Sequence, residues 1–234
     1  MEKLINYCDS IGITLDDKAV DRFNTYMSIV LNWNEKINLT SITDKDEFIV
    51  KHFCDSLSLL SVIEPEECAT VIDIGTGAGF PAIPLKIVRP DLEITMLDSL
   101  NKRLVFISNE VLPKLDLKCK VIHGRAEEIS KTKEHREQYD YAVSRAVANM
   151  SSLSEYCLPF VAVGGTFIAM KGRECMDEIK DAENAISILG GDLSDVIGLE
   201  LPDGSSRSIV IVDKTEKTPV KYPRRGVKIA KNPL

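Results

Sequence analysis

The sequence predicts an α/β fold with a seven-stranded, mostly parallel sheet, helices on both faces and a helical N-terminal extension. From residue 70 onward, short apolar runs rich in Val and Ile alternate five times with helical segments. Continuous apolar runs are typical of parallel strands, because both faces of such a strand are buried. The last two runs are separated only by the turn DGS, so these two strands must be antiparallel.

Residues 1–66 are predicted to form the helical extension, and residues 67–234 the main domain. Asp16 can cap a helix, because apolar residues follow it at spacings of three and four that place them on one face. Thr43 is expected to cap a second helix, which runs through DKDEFIVKHF and continues through DSLSLLSVI. Pro65 ends this region.

Each predicted strand of the main domain is an apolar run, and a helix follows each of the first five. The helices are expected from about Pro81, from Asn101 to about Leu115, near AEEIS, around MSSLSEYCLPFV, and over about 174–189. The strands in chain order are TVIDIG, EITMLD, CKVIHG, YDYAVSRA, GTFIAMKG, DVIGLELP and SRSIVIVDKTE.

The charge of the chain is unevenly distributed. The net charge is −7, but the last 18 residues, KTPVKYPRRGVKIAKNPL, carry six Lys and Arg and no acid, so the other 216 sum to −13. A basic tail on an acidic body suits a protein that contacts phosphates at one place only. Charge alone leaves open the alternative of a solvated terminus.

Several classes of protein are disfavoured. The start MEKLINYCDS does not resemble a signal peptide, and the longest uncharged run has 15 residues interrupted by Pro159, Gly164 and Gly165, too short to span a membrane. The six cysteines form no CxxC pair, so we expect neither a metal site nor disulfides, and reduced thiols of a cytoplasmic protein instead.

The stretch VIDIGTGAGFPAIPL predicts a ligand-binding loop after the first strand of the sheet. Gly75, Gly77 and Gly79 permit a sharp turn and a close approach to a ligand. Asp98, at the end of the second strand, can accept both hydroxyl hydrogens of a ribose. The pattern predicts an adenosine-type cofactor, whereas the alternatives are a plain strand-to-helix turn for the glycines and a helix cap for Asp98.

Three details favour S-adenosylmethionine (SAM) over a dinucleotide. Phe80 stands where the dinucleotide fingerprint has glycine or alanine. Asp73 would be a poor neighbour for a pyrophosphate but can orient an ammonium group. Ala126 and Glu127 follow the third strand, where they can contact an adenine edge, although Glu127 could also simply begin a helix.

The loop after the fourth strand, VSRAVAN, gives weak information about the methyl acceptor. It lacks the Asn/Asp-Pro-Pro-aromatic pattern of exocyclic-amine methylation, and it has no Pro-Cys pair for carbon-5 chemistry. An acceptor with an available lone pair, such as a purine N7, would require only placement near the sulfonium methyl and exclusion of water. We therefore identify no catalytic residue.

The chain resembles the bacterial small-subunit ribosomal RNA methyltransferase G family, also called glucose-inhibited division protein B. The resemblance covers almost the whole chain and lies in DIGTGAGFPAIPLKIVRPDLEITMLDSLNKRLVF, with WNEKINLTSI and KHFCDSL before it and GRAEE, SRA, MKG and YPRRGVKIAKNPL after it. It implies a Rossmann-like class I SAM-dependent methyltransferase. The implied reaction is methylation of N7 of a guanosine in 16S ribosomal RNA, at position 527 in the 530 loop.

The resemblance also implies roles for individual residues. The SAM contacts of the family correspond to Gly75, Phe80, Ala126, Glu127 and Arg145, with Asp98 in the ribose role. Some members have Leu in place of Phe80, and either side chain can pack against the cofactor. Arg145 would lie where substrate and cofactor meet, or it forms a structural salt bridge.

The basic side chains are candidates for RNA contact, because neutralising phosphates dominates affinity for RNA. Trp33 could stack on a base or pack in the core, and the target base must be presented in a loop or flipped out. The alternatives to an RNA methyltransferase are an NAD(P)-dependent oxidoreductase and a non-catalytic RNA- or ribosome-binding module. The sequence leaves open the oligomeric state and whether free RNA or an assembled small subunit is the partner. The basic residues that are candidates for contact with RNA phosphates are Lys36, Lys51, His52, Lys171, Arg224, Arg225 and Lys228.

Overall fold

The chain begins with helices that pack against one face of a sheet. The computed structural model describes residues 1–145, 147–173 and 175–234. Helix α1 is Glu2–Ser10 and helix α2 is Asp17–Ile37. The Asp16 carboxylate accepts a hydrogen bond from the Ala19 N–H at 2.7 Å, which confirms the predicted cap.

The next helical segment changes its pitch along its length. Helix α3, Lys45–Phe48, leads into a π-helical segment, Ile49–Cys54, and then into α4, Asp55–Leu57. The prediction that Thr43 caps this segment is wrong by one residue. The cap is Asp44, whose carboxylate accepts from the Glu47 N–H at 2.9 Å, and a negative charge also suits the positive end of the helix dipole.

The sheet has seven strands in the order β3-β2-β1-β4-β5-β7-β6. β1 to β5 run parallel, and β7 pairs antiparallel with both β5 and β6. The predicted sheet with its antiparallel final strand is therefore confirmed. The strands are β1 Thr70–Ile74, β2 Glu93–Asp98, β3 Lys120–His123, β4 Tyr139–Arg145, β5 Val161–Gly172, β6 Gly191–Glu200 and β7 Ser206–Lys214.

The helices between the strands follow the predicted order with differences at their ends. A π-helical segment, Ile107–Val111, joins α6 to α7, so the helix expected from Asn101 to Leu115 is built of three pieces. Strand β5 begins at Val161, four residues before the predicted start. The remaining helices are α5 Ala82–Val88, α6 Asn101–Phe106, α7 Leu112–Leu115, α8 Ala126–Ile129, α9 Met150–Cys157, α10 Met176–Ile188 and α11 Gly226–Lys231.

The two faces of the sheet carry two apolar layers. Val71 points to the layer formed with the N-terminal helices, and its neighbour Ile72 points to the layer formed with α9 and α10. The fully buried rings Phe23, Phe48 and Phe53 belong to the first layer. The N-terminal helices thus share one continuous core with the sheet.

The basic C-terminal segment is docked on the body of the protein. The Arg136 guanidinium donates to the carbonyl oxygens of Thr218 and Tyr222, at 2.7 and 3.0 Å. Ile229, on α11, is fully buried. The interpretation of this segment as a solvated terminus therefore does not hold for its backbone. Of the helices in the described ranges, none is long and apolar enough to cross a membrane.

Candidate cofactor and RNA site

A cavity of about 740 Å³ opens at the carboxyl ends of β1 to β4. The strand order places the ends of β3, β2, β1 and β4 side by side, and three strand intervals span roughly 14 Å. Ligands bind at this edge of parallel sheets, beside the point where the strand order reverses. All seven residues predicted to bind the cofactor line the cavity: Gly75, Gly77, Phe80, Asp98, Ala126, Glu127 and Arg145.

The glycine loop after β1 requires glycine for steric and conformational reasons. Gly75 and Gly77 have φ of +74° and +61°, in the left-handed region. A Cβ on Gly75 would lie 2.5 Å from a methyl carbon of Val147, in the loop after β4. The Gly75 N–H also donates to the Leu97 carbonyl at 2.8 Å, which ties the loop to β2.

Asp98 orders the loop from the end of β2. Its Oδ2 accepts from the Gly77 N–H at 3.0 Å, and its Oδ1 accepts from the Leu100 N–H at 2.8 Å. The Arg103 guanidinium lies 3.4 Å from Oδ2. The carboxylate therefore holds the glycine loop and the residue before α6 together at the cavity wall, and its contact with a ribose stays a prediction.

Asp73 lies beneath the loop rather than on the cavity wall. Its Oδ2 accepts from the Thr76 hydroxyl at 2.6 Å and from the Ala82 N–H at 3.3 Å, so it fixes the loop to α5. Its Oδ1 lacks a hydrogen-bond partner within the described residues. Burial raises the pKa of Asp73 to about 7. The interpretation that Asp73 faces the ammonium group of a ligand therefore differs from the observed placement.

The far wall of the cavity joins α8 to the C-terminal segment. Glu127, in the first turn of α8, is buried, and the backbone of Gly226 is seated against its carboxylate so closely that a Cβ would overlap an oxygen. Ala230, on α11, also lines the cavity. Sequence analysis did not predict this wall, and the available signal was the single glycine and the single alanine within the basic tail, Gly226 and Ala230.

Arg145, at the end of β4, is held by three acceptors from one segment. Its Nη1 donates to Asp55 Oδ2 at 2.8 Å and to the Lys51 carbonyl at 3.0 Å, and its Nη2 lies 3.1 Å from His52 Nδ1. The guanidinium also lies 5.2 Å from the centre of the Phe80 ring. The two interpretations of Arg145 are thus compatible, since it both forms a salt bridge and lines the cavity.

His52 is an uncharged part of the same wall. Its ring stacks on Phe80 with centres 4.5 Å apart and planes 11° apart, and its Nε2 lies 2.8 Å from the Thr40 hydroxyl. Burial, followed by the charge of Arg145, lowers the pKa of His52 to about 3. Because Arg145 donates to Nδ1, this hydrogen-bond network assigns the ring proton to Nε2. A buried neutral ring is a poor partner for an RNA phosphate.

The basic residues proposed to contact RNA fall into two groups. Lys36, Arg225 and Lys228 are exposed, and the Lys36 ammonium lies 4.7 Å from the centre of the Trp33 ring. Trp33 itself packs against Phe106, with ring centres 5.7 Å apart, in agreement with the interpretation of core packing. These three cations lie where a polyanion can reach them.

The other three cations are occupied by ion pairs within the protein. Arg224 donates to Glu155, a fully buried carboxylate, with its closest contact at 2.6 Å. Lys51 pairs with Asp203 at 2.6 Å, and Lys171 pairs with Glu178 at 2.5 Å. Since the Arg224 pair is buried, a structural role accounts for this residue, and its contact with RNA stays a prediction.

The glycines and acidic side chains around the cavity fit an adenosine-type cofactor. Glycines with positive φ, an acid at the end of β2 and a buried acid after β3 all face one cavity. Across the described ranges, no group of three or more His, Cys, Asp or Glu side chains is arranged to hold a metal ion.

Comparison with known proteins places the chain in a family. A profile described as rRNA small subunit methyltransferase G matches residues 19–209. A Ribosomal RNA small subunit methyltransferase G of Alkaliphilus metalliredigens is 48% identical over 97% of this chain and 95% of its own length. The protein of the same name from Acetivibrio thermocellus is 47% identical over 99% of this chain and 95% of its own length.

A solved structure supports the fold. The chain is similar to a SAM dependent methyltransferase from Aquifex aeolicus, with a TM-score of 0.51 and 17% identity, over 72% of this chain and 93% of that one. At this level of identity the likeness establishes the Rossmann-like methyltransferase architecture alone.

Proposed function

The chain belongs to the rRNA small subunit methyltransferase G family, and from that membership we propose that it methylates N7 of a guanosine in 16S ribosomal RNA. It is a SAM-dependent rRNA methyltransferase. The observation that carries the proposal is the meeting of four strand ends, with Gly75, Asp98, Glu127 and Arg145, around one cavity.

Within that cavity we propose a role for each predicted residue. Ala126 and Glu127, after β3, contact the adenine, and Asp98, after β2, contacts the ribose. Gly75 and Gly77 give room for the centre of the cofactor. Arg145, at the end of β4, lies at the opposite end of the row of strand ends from Glu127, and its guanidinium lies 5.2 Å from the centre of the Phe80 ring. We place the reacting methyl group beside these two residues.

The chemistry supplied by SAM when bound is an electrophilic methyl group on a sulfonium. Because guanine N7 carries a lone pair and no proton, acceptance of this methyl group would require no residue to remove a proton from N7. The protein is then required to hold N7 and the methyl group in line and to exclude water, and a general base is not needed. The uncharged surface of Phe80 and His52 supplies such a wall.

We further propose that RNA binds over the exposed cations Lys36, Arg225 and Lys228, which lie within five residues in sequence of the lining residues Leu39 and Ala230. The helical segment 1–66 would then serve as an RNA-facing extension of the domain 67–234. An assembled small subunit is the proposed partner, which gives the protein a cytoplasmic place of action.

The test of this function is transfer of a labelled methyl group. Undermethylated 30S subunits and free 16S RNA are incubated separately with the protein and with SAM labelled in its methyl group. We expect label at N7 of one guanosine, mainly in the subunits. SAM binding without transfer would favour the non-catalytic binding module, and calorimetric binding of NAD in place of SAM would favour an oxidoreductase.

The cofactor loop has its own test. Gly75→Ala should weaken SAM binding by more than tenfold, because the new Cβ meets Val147 and displaces the loop after β4. Gly204→Ala is a matched control, since Gly204 also has positive φ, +79°, but its Cβ would meet nothing within 4 Å. Both variants lose about 1 kcal/mol of stability from the backbone. Equal SAM affinities for the two variants would refute the assignment of the loop.

A further inference from the structure

We propose that Asp55 is a positioning residue, which holds the guanidinium of Arg145 at the cavity wall and thereby sets the affinity of the cavity for SAM. The inference rests on the proposed function, because it deepens the role given there to Arg145. It assigns to the N-terminal helices a part in cofactor binding, in addition to packing.

Asp55 is a buried carboxylate shared by two guanidinium groups. Only 4% of it is exposed, and its Oδ2 accepts from Arg145 at 2.8 Å while its Oδ1 accepts from Arg207 at 2.9 Å. A carboxylate can remain charged in such a place only when opposite charges compensate for the lost hydration. Asp55 and both arginines are therefore held at fixed positions relative to one another.

The helical segment around Asp55 is shaped to surround Arg145. The Lys51 carbonyl, the His52 ring and the Asp55 carboxylate all accept from the same guanidinium. Two of these three groups lie in the π-helical segment, Ile49–Cys54, and the third follows it directly. π-Helical turns inside helices frequently occur at functional sites, because they redirect side chains that a regular helix would send elsewhere.

The consequence of this arrangement is an arginine that is ordered before any ligand binds. A free arginine side chain has about 2 kcal/mol of rotamer entropy to lose on being fixed. Asp55 and its neighbours remove that cost in advance, and they leave the guanidinium 5.2 Å from the centre of the Phe80 ring, in the cavity wall. Preorganisation of this kind raises affinity without adding a contact to the ligand.

A purely structural role for Asp55 is the competing explanation. Through Arg207, at the start of β7, Asp55 also ties α4 to the far half of the sheet. The two explanations differ in how the effects of substitutions combine. If Asp55 acts on SAM through Arg145, its substitution has no further effect on affinity once Arg145 is gone.

The experiment is a double-mutant cycle of Asp55→Asn and Arg145→Gln, with the Kd for SAM from calorimetry and kcat/KM on undermethylated 30S subunits. We expect Asp55→Asn to raise the Kd by about tenfold. Arg145→Gln should raise it at least as much, and the double variant should match Arg145→Gln alone. Multiplied losses in the double variant, or an unchanged Kd for Asp55→Asn, would overturn the proposal.

A milder variant covers the case in which Asp55→Asn does not fold. Arg207→Gln keeps the Arg145 pair but frees one oxygen of Asp55, so it should raise the Kd less than Asp55→Asn, and only while Arg145 is present. The same rise in an Arg145→Gln background would overturn the proposal.

A control at another ion pair of the π-helical segment separates positioning from general loosening. Asp203→Asn breaks the ion pair with Lys51, 2.6 Å long, which anchors the π-helical segment outside the cavity. It should leave the Kd for SAM unchanged, and a rise equal to that of Asp55→Asn would overturn the inference. Absence of methylation by the wild-type protein would count against the proposed function, whereas additive losses in an active protein count only against the role of Asp55.

Discussion

The cavity is closed by two walls that come from distant parts of the chain and are built in different ways. On the N-terminal side, His52 and Phe80 stack and Arg145 is held by hydrogen bonds, so this wall is continuous with the apolar core. On the C-terminal side, the backbone at Gly226 and Ala230 lies over the cavity edge.

The second wall is held by an ion pair and hydrogen bonds to the body, together with the buried side chains of Tyr222 and Ile229. Arg224 pairs with the buried Glu155, and Arg136 donates to two carbonyl groups of the segment. The first wall is therefore part of the large apolar core, whereas the second rests on a small apolar anchor and a few individual polar bonds. We therefore expect substitutions in the two walls to differ in how much they lower the free energy of unfolding and in how much they lower the affinity for SAM.

The largest effect is expected at Arg224. Arg224→Gln leaves the buried Glu155 carboxylate without its partner, and we expect a loss of about 3 kcal/mol in the free energy of unfolding, measured by urea denaturation. Arg225→Gln is the control on the adjacent residue, since Arg225 is exposed, and it should instead lower the salt slope of RNA affinity by about one. Equal stability of the two variants would show that the ion pair does not hold the segment.

A smaller effect is expected from adding a methyl group at Gly226, where the backbone lies against the Glu127 carboxylate. In Gly226→Ala the new Cβ displaces the flexible Glu127 carboxylate, so SAM affinity should fall by about tenfold while stability changes little. Gly198→Ala is the control, because its Cβ would meet nothing within 4 Å. Unchanged SAM affinity in Gly226→Ala would remove Glu127 from the proposed adenine site.

On the N-terminal side, Tyr26 supports the glycine loop from below. Its hydroxyl donates to the Ala78 carbonyl at 2.8 Å, and burial holds its pKa well above the usual value, so the donor stays protonated. Tyr26→Phe leaves that carbonyl unpaired, and we expect a loss of about 1 kcal/mol in stability by urea denaturation. If stability and SAM affinity are both unchanged, the α2 contact does not support the loop.

The smallest effect is a pH dependence from His52. Its pKa of about 3 lies below the unfolded value of about 6.5, so between these values the unfolded chain binds one more proton. The contribution of His52 to the free energy of unfolding is therefore fully present above about pH 7. It decreases as the pH drops, by about 0.7 kcal/mol between pH 7 and pH 6. Denaturation of wild type and His52→Gln at both pH values should differ by this amount, and parallel curves would contradict it.

The strand ends of the cavity could be predicted because their signals are local. Gly75 directly follows an apolar run, Asp98 ends one and Glu127 lies four residues after one, and parallel strands bring their carboxyl ends to the same edge. The antiparallel pairing of β6 with β7 could also be predicted, from the turn DGS, although their order in the sheet could not. Such features need only the residues within one element and the rules of sheet geometry.

The partners of the charged residues could not be predicted in this way. Arg145 and Asp55 are 90 residues apart in sequence, and Arg224 and Glu155 are 69 apart. No periodicity connects such pairs, because only the packing of several elements brings them together. The sequence accordingly indicated which residues are basic, but not that Arg224 is neutralised by a buried acid while Arg225 stays exposed.

The span of the cavity along the chain has a consequence for folding. Its lining begins at Leu39 and includes Ala230, so contacts between distant parts of the chain must form before the cavity is complete. A ligand that binds only the complete cavity stabilises the entire chain, by about 2.7 kcal/mol at one hundred times its Kd. The cellular supply of cofactor would then protect the folded protein from local opening and proteolysis.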